Sequence, residues 1–302
     1  MAHAVVEDIE SKKEFITKAF QYKLPYPTKF DCEKLNNEEI IEVYELCKNN
    51  IVKETNNKKI LFAQARYYQF LNKNDNEMNK CFEKAAGLGC VDSINSLGAY
   101  WIYKDPVKGK QLLKIGASLN NSNCYVNLAL YAKSKLKADK EKMYYEKAIE
   151  IDDNIYAIRN LAVIYNNEGN NELFRVFMKR GVKKNDPQSI FAYAMDFYNK
   201  RNFEKANKYF EKGGEVGEFN CLNTLSHYYY FNKQEINKAI EYAERSFKFR
   251  INSDAFYLLA IYYKILNDEE NSQAYLIAAK TFMDLNQNFI SEKPLREKFG
   301  NL

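Results

Sequence analysis

Apolar side chains recur along this chain at an interval of about 32 residues, with polar stretches between them. One series of mostly aromatic or aliphatic residues is spaced by 31 to 33 positions: Phe82, Leu113, Tyr145, Phe177, Phe210, Ala243 and Tyr275. Three residues after each stands a mostly small one: Ala85, Gly116, Ala148, Arg180, Gly213, Ser246 and Ala278. A second series of small residues keeps a constant phase with the first: Ala65, Gly98, Ala129, Ala162, Ala194, Ser226 and Ala260. Two such series indicate about seven sequence repeats.

The repeat length predicts two helices in each unit, called helix A and helix B below. About 32 residues accommodate two helices of roughly 12 to 14 residues and two short turns. Small residues suit the points where the helices cross, because a close approach of two axes excludes large side chains. One hairpin cannot bury its apolar stripe alone, so neighbouring hairpins must cover it. The chain is therefore predicted to be all-α, an α-α superhelix of about seven helix-turn-helix repeats with helical caps.

Asparagine and aspartate cluster between the predicted helices. These clusters lie at residues 72–76, 120–123, 152–154, 166–171, 184–187 and 267–270. Their side chains accept hydrogen bonds from the free backbone N–H groups of a helix's first turn, so the clusters are predicted to be capped turns.

Several motifs resemble the tetratricopeptide repeat and its Sel1-like variant. The A-helix motifs are Leu97-Gly98-x-x-Trp101, Leu161-Ala162-x-x-Tyr165, Leu225-Ser226-x-x-Tyr229 and Leu259-Ala260-x-x-Tyr263, and the B-helix motif is Ala206-x-x-x-Phe210-x-x-Gly213. The segment Ala85-Ala86-x-x-Gly89 resembles a Sel1-like junction. The fourth unit departs from the pattern, since Arg180 stands at the small position. The resemblance covers residues 59–280 and implies a non-catalytic scaffold.

The two ends of the chain differ from the repeats. Residues 1–58 are predicted to form an N-terminal helical cap with helices at Val5–Tyr22 and Glu38–Val52, and a separate docking module is the alternative. Residues 281–302 are predicted to add a short closing helix and a tail. The repeats themselves occupy residues 59–280.

Composition narrows the class of protein further. Of 302 residues, 46% are hydrophobic and 28% charged, which indicates a folded chain. Lysine and arginine exceed aspartate and glutamate by five, and lysine far outnumbers arginine, which is typical of an AT-rich gene. No apolar run is long enough to span a bilayer, and the first residues lack the pattern of a signal peptide. We therefore expect no membrane partner and a cytoplasmic location, in a host cell if the gene is viral.

The residues needed for catalysis or metal binding are not assembled by this sequence. The two histidines, His3 and His227, are far apart, and the six cysteines form no pair at zinc-site spacing. Cys124 and Cys221 occupy the same repeat position as several small residues, so they are interpreted as packing residues. Gly213-Gly214-x-x-Gly217 follows no strand pattern and is interpreted as a helix end. The sequence therefore predicts no catalytic residue, no metal and no cofactor.

Binding is the function that the repeats favour. One face of each A helix is expected to line a concave groove, and amide, aromatic and arginine side chains there suit an extended peptide. The groove residues are predicted to be Phe62, Arg66, Gln69, Asn95, Arg159, Asn166, Gln188, Tyr198, Asn223, His227, Tyr230, Tyr257 and Lys264. The predicted partner is a protein or peptide, alone or within a multiprotein complex.

An RNA or ribonucleoprotein adaptor is the alternative function. Helical repeats can follow a nucleic-acid backbone, and 24 Tyr and 20 Phe could supply stacking surfaces. The possible basic patch is Lys179, Arg180, Lys183 and Lys184. Most other lysines alternate with glutamates, which is typical of a solvated helix face.

Overall fold

The computed structural model describes residues 11–13, 35–52, 54–247, 249 and 253–285, and every regular element among them is helical. In chain order the helices are α1 (Asn37–Asn49), α2 (Lys58–Tyr67), α3 (Asp75–Gly87), α4 (Val91–Lys104), α5 (Pro106–Ser118), α6 (Ser122–Ser134), α7 (Ala138–Asp152), α8 (Ile155–Asn167), α9 (Asn171–Lys183), α10 (Pro187–Asn199), α11 (Phe203–Glu215), α12 (Phe219–Lys233), α13 (Ile236–Phe247), α14 (Ser253–Ile265) and α15 (Glu269–Leu285). A π-helical turn, Tyr68–Asn72, extends α2. The prediction of an all-α helical-repeat fold is confirmed.

The helices alternate between the two types that the sequence pattern predicts. Even-numbered helices from α2 to α14 are A helices, and odd-numbered helices from α3 to α15 are B helices. The second series of small residues is buried throughout on the A helices. Burial there lets the two helices of a hairpin approach closely, as the pattern requires.

Short polar side chains begin most of these helices. The caps that accept a hydrogen bond from a first-turn backbone N–H are Asn36, Asn57, Asn74, Asp105, Asn121, Asn154, Asn170, Asp186, Asn202 and Glu218. Each such cap stabilises its helix by about 1 kcal/mol. The prediction that the Asn- and Asp-rich clusters are capped turns is therefore confirmed at the caps that lie in those clusters: Asn74, Asn121, Asn154, Asn170 and Asp186.

Helix B ends in the same way in four repeats. The backbone N–H five residues on donates to the carbonyl of Ala85, Gly116, Gly181 or Gly213, at 2.8–3.1 Å. The small residue of the fourth repeat is thus Gly181, which is buried, and the sequence alignment that placed Arg180 there was wrong by one residue. The Arg180 guanidinium instead lies 5.7 Å from the centre of the Phe177 ring. A similar shift occurs in α15, where Ala279 is fully buried in place of Ala278.

The chain divides into two compact units, residues 1–168 and residues 169–302. In the first unit the A helices α2, α4 and α6 each pack on the B helix that follows, and each of those B helices packs on the next A helix. At the crossing of α4 and α5, Gly109 lies against the backbone of Trp101 and Ile102. Helix α1 packs on α2, and Lys59 Nζ lies 2.9 Å from Glu39 Oε2.

The second unit repeats this packing from α9 to α15. Phe210 of α11 is completely buried in the core of this unit. Its ring centre lies 6.1 Å from the ring centres of both Phe191 and Tyr198. Two serines at crossings donate hydrogen bonds to the facing helix, Ser226 Oγ to the Ala239 carbonyl at 2.7 Å and Ser272 Oγ to the Ala260 carbonyl at 2.9 Å. Hydroxyls therefore fit at crossings because a backbone carbonyl accepts from each of them.

The predicted ends of the chain are only partly described. The predicted helix Glu38–Val52 corresponds to α1, whereas the predicted helix Val5–Tyr22 and the closing segment 281–302 lie largely outside the described residues. The division into a cap at 1–58, repeats at 59–280 and an end at 281–302 stays a prediction.

Glu141 is a carboxylate at a position where other B helices carry small or apolar residues. It is buried in the first turn of α7, and its Oε1 has no hydrogen-bond partner within the described part of the chain. Burial raises the pKa of its carboxyl above the ordinary 4.5, against a smaller lowering by Lys133. A raised pKa means that the folded state holds the proton more tightly, so ionisation destabilises the fold as the pH rises above 4.5.

Replacing Glu141 with alanine is therefore expected to stabilise the protein. At pH 7 we expect the free energy of unfolding to rise by about 1 kcal/mol, because a buried carboxylate oxygen without a partner is removed. The gain should shrink as the pH falls towards 4.5, where the native carboxyl is protonated. Thermal melts of both proteins from pH 4 to pH 8, with the exposed Glu146→Ala as a control, measure this. A lower melting temperature for Glu141→Ala at pH 7 would contradict it.

Candidate functional site

The predicted groove residues of α2 lie mostly inside the first unit. Arg66 is only 2% exposed, and desolvation lowers the pKa of its guanidinium to about 9. Its Nη1 donates to Gln69 Oε1 at 2.8 Å, and the guanidinium lies 4.5 Å from the Phe70 ring centre. Phe62 is also buried and packs on Phe82. These side chains stabilise the interior, and they offer little surface to a partner.

Amide side chains connect consecutive A helices in the first unit. Asn127 Nδ2 in α6 donates to Asn95 Oδ1 in α4 at 2.8 Å, and Asn95 is buried. Asn154, the cap of α8, donates to Ser122 Oγ at 2.8 Å and to Asn123 Oδ1 at 2.9 Å. The sequence analysis missed Asn127, although it stands 32 residues after Asn95 and could have been found by that spacing. These amides hold adjacent repeats together.

Helix α8 carries two predicted groove residues with more exposure. The Arg159 guanidinium lies 4.9 Å from the centre of the Tyr156 ring, and both side chains are half-buried. Asn166 is exposed in the last turn of the helix. Arg159 and Tyr156 together present a planar cation and an aromatic ring, a pair that suits hydrogen bonding and stacking.

On α10, at the start of the second unit's A helices, the two predicted residues differ. Gln188 is exposed in the first turn. Tyr198 is half-buried near the end, with the Phe203 ring 5.2 Å away. Burial, together with the nearby Tyr228, raises the pKa of the Tyr198 phenol. Tyr198 therefore belongs to the edge of the core, whereas Gln188 faces solvent.

The structure brings several predicted residues together on α12. The His227 ring lies 4.3 Å from the ring of Phe231, and Tyr230 contacts the same phenylalanine at 4.5 Å. Phe231, which the sequence analysis did not select, is 52% exposed. Asn223 lies one helical turn before His227 and is buried. The group combines an exposed aromatic ring with adjacent polar side chains.

Helix α14 continues this group. Tyr230 of α12 packs on Tyr262 of α14, with ring centres 5.1 Å apart. Tyr257 is half-buried in the first half of α14, and Lys264 is exposed in its last turn. We define the α12–α14 surface as His227, Tyr230, Phe231 and Tyr257.

The predicted basic patch lies at the end of α9. Lys179, Lys183 and Lys184 are exposed, and Arg180 is half-buried against Phe177. Three exposed lysines within one and a half turns give a local positive surface, which is the property that the RNA alternative requires.

The described residues contain no cluster of side chains that could hold a metal ion, and the two cysteines singled out in the sequence are not activated as nucleophiles. Residues 11–13, 35–52, 54–247, 249 and 253–285 contain no cluster of three potential metal ligands. Cys124 and Cys221 are fully buried, and burial raises the pKa of the Cys124 thiol to about 12 and that of Cys221 further. Both thiols are therefore protonated at neutral pH, which fits their interpretation as packing residues.

Among the residues that the structure describes, every helix is too short or too polar to cross a bilayer.

Comparison with solved structures confirms the resemblance at the level of the fold. A protective antigen present in uropathogenic Escherichia coli strains, described as displaying an SLR fold, aligns with 84% of this chain and 60% of its own, at 17% identity and a TM-score of 0.54. A Sel1 repeat protein from Oxalobacter formigenes aligns with 66% of this chain and 94% of its own, at 16% identity and a TM-score of 0.53. PilF of Pseudomonas aeruginosa aligns with 69% of this chain and 97% of its own, at 13% identity and a TM-score of 0.50.

Comparison with sequences gives no match. No protein-family model and no curated protein matches this chain. The relationship to tetratricopeptide and Sel1-like repeats is therefore one of fold.

Proposed function

We propose that this protein is a non-enzymatic interaction scaffold that binds a protein segment on the exposed face of its A helices, mainly at the α12–α14 surface. The observation that carries the proposal is Phe231, a phenylalanine 52% exposed whose ring contacts those of His227 and Tyr230. A folded chain gains free energy by burying such a ring, so its exposure beside ordered aromatic neighbours supports a role in binding.

The chemistry of this surface suits an extended peptide. Rigid aromatic rings supply most of the binding energy at protein interfaces, and amides can pair with a peptide backbone. Helix α12 places Asn223, His227 and Phe231 on one face, because these residues are four positions apart. A segment lying along that face can contact both rings together.

The burial of the first unit's residues supports placing the main contact in the second unit. Arg66 and Asn95, predicted to line the groove, are almost completely buried and take part in hydrogen bonds within the unit. Arg159 with Tyr156 is the part of the first unit that we propose as an additional contact.

A matched pair of variants tests the proposal in cells of the native organism. We expect the double variant His227→Ala, Phe231→Ala to recover at least tenfold less partner than the unchanged protein on affinity purification, because central aromatic contacts contribute about 2 kcal/mol or more each. Ile277→Ala is the control, since Ile277 is 62% exposed on the B helix α15. Equal recovery by the double variant and the control would contradict the proposal.

RNA binding remains the alternative, and we propose a cytoplasmic location for either function. The exposure of Lys179, Lys183 and Lys184 favours the alternative. In the same purification, RNA recovered in a nuclease-sensitive form and lost on neutralising these three lysines and Arg180 would replace the protein-scaffold proposal.

A further inference from the structure

A cavity of about 190 Å³ lies in the first unit between α5, the end of α6 and the start of α7. Five lysines from three chain segments line it: Lys110, Lys114, Lys135, Lys137 and Lys140. No carboxylate is among its lining residues. Lys110 and Lys114 precede the other three lysines by 21 to 30 positions in the sequence, yet all five surround one opening. The sequence analysis did not predict this cluster.

The positive charge of this cavity is not neutralised by the protein. Each of the five lysines is exposed, and none forms an ion pair with the residues that the structure describes. Like charges around one opening repel each other, and their potentials add at its centre. An anion bound there would remove the repulsion and gain attraction from several ammonium groups at once.

Aromatic and aliphatic side chains form the rest of the lining. Lys110 Nζ and Lys135 Nζ lie 4.9 Å and 5.5 Å from the centre of the Tyr131 ring, on which cation–π attraction holds them. Leu128 and Ala132 add apolar surface, and Tyr144 adds a phenol from α7. Apolar walls lower the local dielectric constant, which strengthens the attraction between the lysines and an anion.

We infer that this cavity binds a compact oligophosphate, a group with two or more adjacent phosphates. The cavity is smaller than the roughly 300–1,000 Å³ of sites for drug-sized molecules, so the group that enters it must be small. Five lysines exceed what one carboxylate or a single phosphate can neutralise, so the group must carry several negative charges. Ammonium groups bind phosphate oxygens as point charges from any direction, which suits closely spaced phosphates.

The cavity is independent of the proposed partner-binding function. It uses the face of α6 that carries Leu128, Tyr131 and Ala132, which turns towards the B helices α5 and α7. The partner-binding residues of α12 and α14 belong to the other unit. A scaffold with this cavity could bind its partner and an oligophosphate separately.

Free oligophosphate and the phosphorylated headgroup of a lipid share this chemistry. Leu136 stands between Lys135 and Lys137, is 94% exposed and has a φ of 54°. An apolar side chain exposed beside a basic cavity can insert into a lipid surface, whereas binding of a free oligophosphate does not involve this side chain. Leu136 therefore distinguishes the two sources.

Calorimetric titration of the full chain with inorganic tripolyphosphate tests the inference. We expect saturable binding with one site, weakened about a hundredfold in the double variant Lys114→Gln, Lys140→Gln, because each charge-assisted hydrogen bond contributes about tenfold. The control is Lys84→Gln, Lys147→Gln, which removes the same charge from exposed lysines elsewhere in the unit. Thermal melts verify that both variants are folded.

The source of the phosphates is measured on vesicles. Flotation with vesicles containing a phosphatidylinositol bisphosphate, compared with phosphatidylserine vesicles of equal charge, assigns the ligand to a lipid if binding is lost in Leu136→Asp. Tripolyphosphate binding without flotation assigns it to a free oligophosphate. The inference is overturned if tripolyphosphate binds no more tightly than sulfate, if both double variants lose equal affinity, or if only single-stranded RNA binds.

Discussion

Replacing Gly109 with alanine is expected to lower the free energy of unfolding of the first unit by about 3 kcal/mol. A Cβ added at Gly109 would lie 2.8 Å from the carbonyl carbon of Trp101 and closer still to the backbone of Ile102. Backbone atoms of a helix cannot move aside like the end of a flexible side chain, so α4 and α5 would have to separate. Separation would also loosen the packing of Gly98 against Leu113 in the same hairpin.

The matched control for this substitution is Gly87→Ala in α3. A Cβ at Gly87 meets no atom within 4 Å, and alanine favours a helix over glycine by up to about 1 kcal/mol. Denaturant unfolding of the two variants should therefore give changes of opposite sign. Similar stabilities for Gly109→Ala and the unchanged protein would contradict the close crossing of α4 and α5.

Replacing Phe210 with alanine is expected to cost about 3–5 kcal/mol in the second unit. The side chain is completely buried between α10, α11 and α12, and alanine would leave a cavity that the neighbouring rings cannot fill. Chemical denaturation monitored by circular dichroism measures the loss. We expect it to approach the whole stability of a typical domain.

Phe231→Ala provides the comparison, since it removes the same atoms from a ring that is half exposed. We expect it to change the free energy of unfolding by less than about 1 kcal/mol while reducing partner binding. Equal destabilisation by Phe210→Ala and Phe231→Ala would contradict the assignment of Phe210 to the core and Phe231 to the surface.

Much of this fold could be predicted from the sequence because each repeat solves the same packing problem with the same residue types. Small residues such as Gly98 and Ser226 mark the helix crossings, and polar residues such as Asn74 and Asp186 mark the helix starts. Both signals are local in the sequence. They can be recognised without knowing which helices pack against each other.

Register within a repeat was less predictable. The small residue of the fourth unit is Gly181, 33 residues after Ala148, whereas the sequence series placed Arg180 there, 32 residues after Ala148. Because the spacing varies from 31 to 33 residues, the sequence alone does not decide between the two. Gly109 was not identified either, because its place in other B helices is held by residues as different as Met78 and Glu141. The size that a crossing tolerates depends on the facing backbone, and the sequence pattern does not contain that distance.

The candidate sites depended still more on three-dimensional contacts. Burial of Arg66 against Phe70 and pairing of Asn95 with Asn127 remove predicted groove residues from the surface. The five lysines of the cavity between α5, α6 and α7 come from separate segments, and no carboxylate is among the residues that line the cavity. Side-chain direction on a helix, rather than residue type, decides which charges gather.

The measurement that tests the central claim most directly is photo-crosslinking in the native cell from single positions on the two helix types. A benzoyl-phenylalanine replacing Phe231 on α12 should crosslink one partner protein, and the same group replacing Ile277 on α15 should not. Crosslinking to that partner from position 277 with none from position 231 would contradict the claim that the A-helix face binds the partner.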